Sequence, residues 1–196
     1  RAPRFSQPGI PGIERRLKLE LKLLTDVGIV GLPNAGKSTL ISSMSAARPK
    51  IADYPFTTLT PTLGMVEPHF GEPFAVADIP GLIEGAHEGI GLGIKFLKHI
   101  ERTGILIHLI DAGEIDPEKP LEAFNLINKE LAMYSKRLAQ KAQIVVLNKM
   151  DLIGIENRVD SFKAALPNLQ VLAISAVTGK GVKPLVKLLA SKLQKE

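Results

Sequence analysis

The 196-residue chain has no cysteine, which rules out a disulfide framework and any thiolate metal site, and its four histidines are too scattered to assemble a zinc cluster. No apolar run approaches the roughly 20 residues of a membrane-spanning helix, and the start lacks the basic-then-apolar pattern of a secretory leader. Internal repeats and low-complexity tracts are missing too. These absences leave, as the expectation, an intracellular and cytoplasmic chain of one domain or a domain plus an extension, and its 45% hydrophobic content suffices for a proper core. Acidic residues are scarce only at the ends. Residues 1–24 hold six Lys/Arg against two Glu, residues 180–196 hold five Lys against one Glu, and the stretch between is net negative, although the whole is +5. Such basic ends suit RNA phosphates, and they equally suit solvated surface; the second reading is preferred for these segments alone.

Residues 1–15 open with three prolines and two glycines in the first thirteen positions and read as a linker, with the domain running from 16 to 196. Leu17, Leu19, Leu21 and Leu23 alternate with Lys18, Glu20 and Lys22, the pattern of a half-exposed strand over Arg16–Leu24. Val27–Val30 is a buried-strand run, and further strands are predicted at Leu63–Glu67, Phe74–Ile79, Ile105–Ile110, Ile144–Leu147 and Val171–Ile174. Helical spacing marks Ser38–Ala47, Leu92–Arg102, Leu121–Ala139 and Val182–Leu193. Alternating strands and helices argue for an α/β fold, a mostly parallel sheet covered by helices on both faces, with ligand at the carboxyl ends of the strands.

The strongest signal is Gly31-Leu32-Pro33-Asn34-Ala35-Gly36-Lys37-Ser38, which fits G-x-x-x-x-G-K-[ST] and sits between a strand and a helix. Its backbone N–H groups can converge on phosphates, Lys37 can reach the β- and γ-phosphates, and the Ser38 hydroxyl can ligate Mg2+. Asp78-Ile79-Pro80-Gly81 closes an apolar strand, so that Asp78 can hold Mg2+ through water and the Gly81 N–H can reach a γ-phosphate. Between them, the Pro-bounded stretch Ala52–Pro61 offers adjacent Thr57 and Thr58 as Mg2+ and γ-phosphate ligands; otherwise it is a β-branched strand entry. Asn148-Lys149-Met150-Asp151 again follows a strand. Asp151 can accept hydrogen bonds from N1–H and N2–H2, an edge guanine has and adenine lacks; Asn148 can brace the loop, and the Lys149 stem can lie on the purine face. Ser175-Ala176-Val177 follows the last strand, where the Ala176 N–H can donate to guanine O6.

Four signatures in this order resemble the GTPase domain of the bacterial Obg family. The resemblance rests on Asp26–Thr39 (DVGIVGLPNAGKST), Ala52–Gly64 (ADYPFTTLTPTLG) and, above all, Val76–Arg102 (VADIPGLIEGAHEGIGLGIKFLKHIER). It implies a P-loop NTPase of Ras-like form with a six-stranded, mostly parallel sheet, and a monomeric, slowly hydrolysing GTP/GDP switch. The large ribosomal subunit, its rRNA and proteins, is the implied partner, in subunit assembly and growth or stress control, and ppGpp is an implied ligand. Carried over residue by residue, Ser38 and Thr58 become Mg2+ ligands, and with Asp78 from the strand-end reading they make up the Mg2+ set. Phe56, Thr57, Thr58, Leu59 and Thr60 join the phosphate loop, Asp78–Gly81, Asn148–Asp151 and Ser175–Val177 as nucleotide contacts. The opening APRF…PG…ELKLL resembles the junction after that family's glycine-rich N-terminal domain.

One departure from Ras-like enzymes bears on mechanism. The residue after Gly81 is Leu82, which cannot orient an attacking water as glutamine does, so intrinsic hydrolysis is expected to be slow. Asn34 matches the asparagine with which related GTPases hold K+ beside the phosphates, which would place Asn34 with Lys37, Thr58 and Gly81 in the catalytic set; alternatively Asn34 only tightens the turn. Glu84, His87 and Glu88 are weaker candidates for positioning water, and Gly89, Gly91 and Gly93 read as hinges rather than a dinucleotide fingerprint. Two other readings stay open: a P-loop kinase or ATPase, which NKMD opposes, and a nucleotide-sensing module with negligible turnover, which Leu82 favours.

Overall fold

A computed structural model of the chain describes residues 9, 12–14, 25–45, 50–51, 62–79 and 103–194. The strand expected over 16–24, the helix over 92–102, and the candidates Phe56–Thr60, Pro80 and Gly81 lie outside the described residues.

Among the described residues, seven strands form one sheet in the spatial order β2-β3-β4-β1-β5-β6-β7. They are β1 (Val27–Val30), β2 (Lys50–Ile51), β3 (Thr62–Val66), β4 (Phe74–Asp78), β5 (Ile105–Asp111), β6 (Ala142–Asn148) and β7 (Val171–Ala173). Strands β4, β1, β5, β6 and β7 run parallel, while β2, β3 and β4 pair antiparallel. Six of the seven are those the apolar runs predict. The seventh, β2, is a two-residue edge piece too short to leave a periodic pattern, so the six-strand expectation gains one strand.

β1 is buried throughout and β5 nearly so, as a parallel strand covered on both faces must be. Alternate residues of β5 face opposite layers. Ile105, Ile107 and Leu109 join a core with Leu40, Ile41 and Met44 of α1 (Lys37–Met44) and with Leu185 and Leu189, while Leu106 packs on the other face with Ile127, Leu131 and Leu138. The second face is built by α2 (Glu122–Tyr134), the short α3 (Lys136–Ala139) and α4 (Glu156–Ala165), whose Val159 and Phe162 close a third cluster around Ile110, Val145 and Leu147. α5 (Val182–Leu193) buries Val182, Leu185, Leu189 and Ala190 and leaves Lys183, Lys187 and Lys192 exposed.

Two helical expectations change. The single helix read over 121–139 breaks at Ser135, whose extended backbone ends α2 and whose Oγ accepts the Leu138 N–H to start α3. Helix α4 is not visible in the sequence pattern because only Val159 and Phe162 of its ten residues are buried, too few for an apolar stripe. Consecutive strands β4 and β5 lie on opposite sides of β1, so a crevice opens at the carboxyl end of β1, and all the described motifs leave the sheet on that edge.

Candidate functional site

The loop between β1 and α1 is shaped by two left-handed residues, Asn34 (φ 62) and Gly36 (φ 91). Gly36 must stay without a side chain for a second reason: a Cβ there would meet the Asn148 amide nitrogen. At the other end of the loop, a Cβ on Gly31 would run into the Leu109 carbonyl of β5. The backbone is therefore wrapped tightly enough for its N–H groups to converge, which is what a phosphate requires. Lys37 folds back over the turn, its Nζ donating to the Gly31 and Leu32 carbonyls at 3.1 Å each. Leu32 is half-buried, Ala35 is buried, and Pro33, Asn34 and Ser38 are exposed, so the loop presents its crown outward.

Asp78 ends β4 beside this loop. It is 8% exposed, its Oδ1 has no partner among the described residues, and burial pushes its pKa up against the opposing pull of the Lys37 charge and the Ser38 hydroxyl and Ile79 amide hydrogen bonds. The Ile79 N–H also donates to the Ile29 carbonyl at 3.0 Å, which fixes the end of β4 against β1. A buried carboxylate with an orphaned oxygen next to a serine hydroxyl is a hard oxygen donor set, and it fits Mg2+. The third expected ligand, Thr58, lies outside the described residues.

The NKMD segment leaves β6 at Asn148. The Asn148 Nδ2 donates to the Ala35 carbonyl of the phosphate loop at 2.8 Å, and its Oδ1 accepts the Ala176 N–H at 3.0 Å. This buried side chain ties three loops together. It also occupies the Ala176 amide that the sequence reading assigned to guanine O6; among the described residues the next amide, that of Val177, has no partner. Ser175 is buried, its Oγ accepting the Thr178 N–H at 3.1 Å, and Met150 N–H donates to the Ile174 carbonyl at 3.1 Å. Asp151 is exposed, and Lys149 adopts a left-handed backbone (φ 66).

Lys149 is also held at its tip. Its Nζ pairs with Asp111 Oδ2 at 2.5 Å, and Asp111 Oδ1 accepts the Gly113 N–H at 2.9 Å. The sequence reading gives Asp111 no role, although an acid closing an apolar strand is the signal that singled out Asp78. Flanking this pair is a cavity of about 550 Å³ whose walls include Leu32, Asn34, His108, Asp111, Leu126 and Lys149. His108 is fully buried, stacked on Phe124 at 4.8 Å, with Nδ1 toward Gln143 Oε1 at 3.3 Å and Nε2 unpartnered among the described residues; burial lowers its pKa to about 4. Among the described residues no cluster of three or more His, Cys, Asp or Glu side chains is arranged to hold a metal, and no helix is long and apolar enough to cross a membrane.

Comparison with known proteins matches this arrangement. The family model described as 50S ribosome-binding GTPase covers residues 26–149. The chain is 68% identical over 193 residues to GTPase Obg of Desulforapulum autotrophicum, covering 98% of the chain and 56% of that relative. It is 58% identical over 194 residues to GTPase Obg of Desulfatibacillum aliphaticivorans, covering 99% of the chain and 58% of the relative. The chain thus spans a little over half the length of these relatives. Among solved structures, a variant of Era from Aquifex aeolicus bound to GDP·AlF4− superposes with a TM-score of 0.60 at 27% identity, over 85% of this chain and 56% of that one. A nucleolar GTP-binding protein 1 from Plasmodium falciparum gives 0.61 at 20% identity, over 90% of this chain and 89% of that one, a likeness of fold. With the phosphate loop, the strand-end acid and the NKMD segment gathered on one sheet edge, the chain belongs to the 50S ribosome-binding GTPase family, as a GTPase domain of the Obg type.

Proposed function

We propose that this domain binds guanine nucleotides with Mg2+, hydrolyses GTP slowly, and serves as a nucleotide-dependent switch on the large ribosomal subunit in the cytoplasm. The observation that carries the reading is the Asn148 bridge, because it sets the base-reading segment directly against the phosphate loop, one nucleotide's breadth of chemistry on one edge. In this reading Asp151, exposed at the rim, accepts the N1–H and N2–H2 of guanine, and adenine would leave its carboxylate unpaired. Lys37 releases its two carbonyls to take the β- and γ-phosphate oxygens, while the loop amides hold the remaining charge. Ser38 and Asp78 would hold Mg2+, with Thr58 as the expected third ligand, and the ion supplies neutralisation of charge on the phosphate oxygens. Phe56, Thr57, Leu59, Thr60, Pro80 and Gly81 are proposed contacts by their place in the family strings. Asn34, exposed on a left-handed turn, is proposed to hold K+; hydrolysis in K+ and in Na+ at equal rates would remove that role.

The description of the matching family model, 50S ribosome-binding GTPase, supports the ribosomal setting, and ppGpp is proposed as a ligand of the same pocket. A non-cycling sensor is the second reading, favoured by Leu82 after Gly81; multiple-turnover phosphate release with large subunits present separates the two. The direct test of the nucleotide assignment is Asp151→Asn. Wild type should prefer GDP over xanthosine diphosphate by at least about a hundredfold, and the variant should reverse that order. An unchanged preference would remove guanine reading from Asp151.

A further inference from the structure

Asp111 and Asn148 are register partners in neighbouring strands β5 and β6, each the last residue of its strand. One residue past Asn148 the chain enters the left-handed region at Lys149, and this turn carries the lysine sideways, back over β5. There its ammonium meets the Asp111 carboxylate, of which only 11% is exposed, whereas the lysine side chain keeps 34%. The carboxylate is itself immobilised. Its other oxygen caps the 3-10 turn Ala112–Glu114, and Arg158 of α4 locks that turn by donating to the Gly113 and Ile115 carbonyls at 2.7 and 3.0 Å. A flexible lysine is thus held at its tip by a fixed anion, and the stem between tip and backbone becomes a surface of defined place.

We infer that Asp111 is a positioning residue for nucleotide binding: by pairing with Lys149 it holds the lysine stem as a preformed platform for the purine face. The inference rests on the guanine-nucleotide reading above. Preorganisation of this kind lowers the ordering cost of binding, so its loss shows in affinity and residence time rather than in the chemical step. It also keeps the Lys149 charge away from the phosphates and leaves that task to Lys37.

Asp111→Asn separates this role from the structural one, because the amide oxygen can still cap Gly113 while the charge is lost. In the 196-residue chain, Asp111→Asn should release a fluorescent GDP analogue about three- to tenfold faster and raise the KM for GTP in proportion, with kcat and the thermal midpoint near wild type. Lys149→Met, which keeps an apolar stem without the charge, should also speed release, and the double variant should be no worse than the poorer single one. Fully additive losses, or Asp111→Asn releasing nucleotide at the wild-type rate, would overturn the inference. If wild type itself bound no GDP, the failure would be that of the nucleotide reading.

Discussion

In its proposed Mg2+-holding role, Asp78 shows most directly how function and stability would pull apart at a single side chain. Its carboxylate is kept in a place that penalises charge, with one oxygen unpartnered, where an uncharged isostere would sit more comfortably. Asp78→Asn should therefore stabilise the nucleotide-free chain by about 1 kcal/mol, read from chemical denaturation midpoints, while abolishing the Mg2+-dependent tightening of GDP binding. A variant that binds nucleotide with undiminished Mg2+ dependence would show that the metal is held elsewhere. Asp78 could be singled out in the sequence because it stands in a recognisable string. Asp111 could not, since its meaning comes from the β5–β6 register and from a backbone turn at Lys149 that no local pattern announces. The engagement of the Ala176 amide by Asn148 was hidden for the same reason: the two residues are 28 positions apart.

The strand ends and the loops that leave them form the working element. Long aliphatic runs made β1, β5 and β6 legible, and G-x-x-x-x-G-K-S fixed the strand-to-helix loop, because each is a local pattern with a local cause. Elements with few buried residues escaped: β2 has two residues in all, and α4 offers only a pair of apolar anchors. The loop's first glycine is set by a neighbour distant in sequence, the Leu109 carbonyl. Gly31→Ala should force β1 and β5 apart at their carboxyl ends, destabilise the fold by about 1–3 kcal/mol in urea denaturation and weaken GDP binding. Wild-type stability in that variant would mean that the strands can yield at this point.

At the scale of the whole molecule, His108 is a pH-sensitive contributor to stability; it joins the apolar layer under α2 to the Phe124–Phe162 contact near α4. Its folded pKa of about 4 lies below the ordinary 6.5, so between those values the unfolded chain binds more protons. Its contribution is therefore complete above pH 6.5 and declines as pH falls toward 4, by about 2 kcal/mol between pH 7 and 5. Replacing it in His108→Phe should flatten that slope in denaturation midpoints at the two pH values; an unaltered slope would assign the acid sensitivity to other groups. At the carboxyl end of the neighbouring strand β6, the Asn148 amide has a different molecular consequence. If the nucleotide sits as proposed, this one side chain would fasten the loop around the phosphates to the segments beneath the base, so that neither half of the pocket would loosen without the other. A release factor would not have to engulf the nucleotide; leverage applied at any one of the three joined loops would be felt along the full length of the ligand.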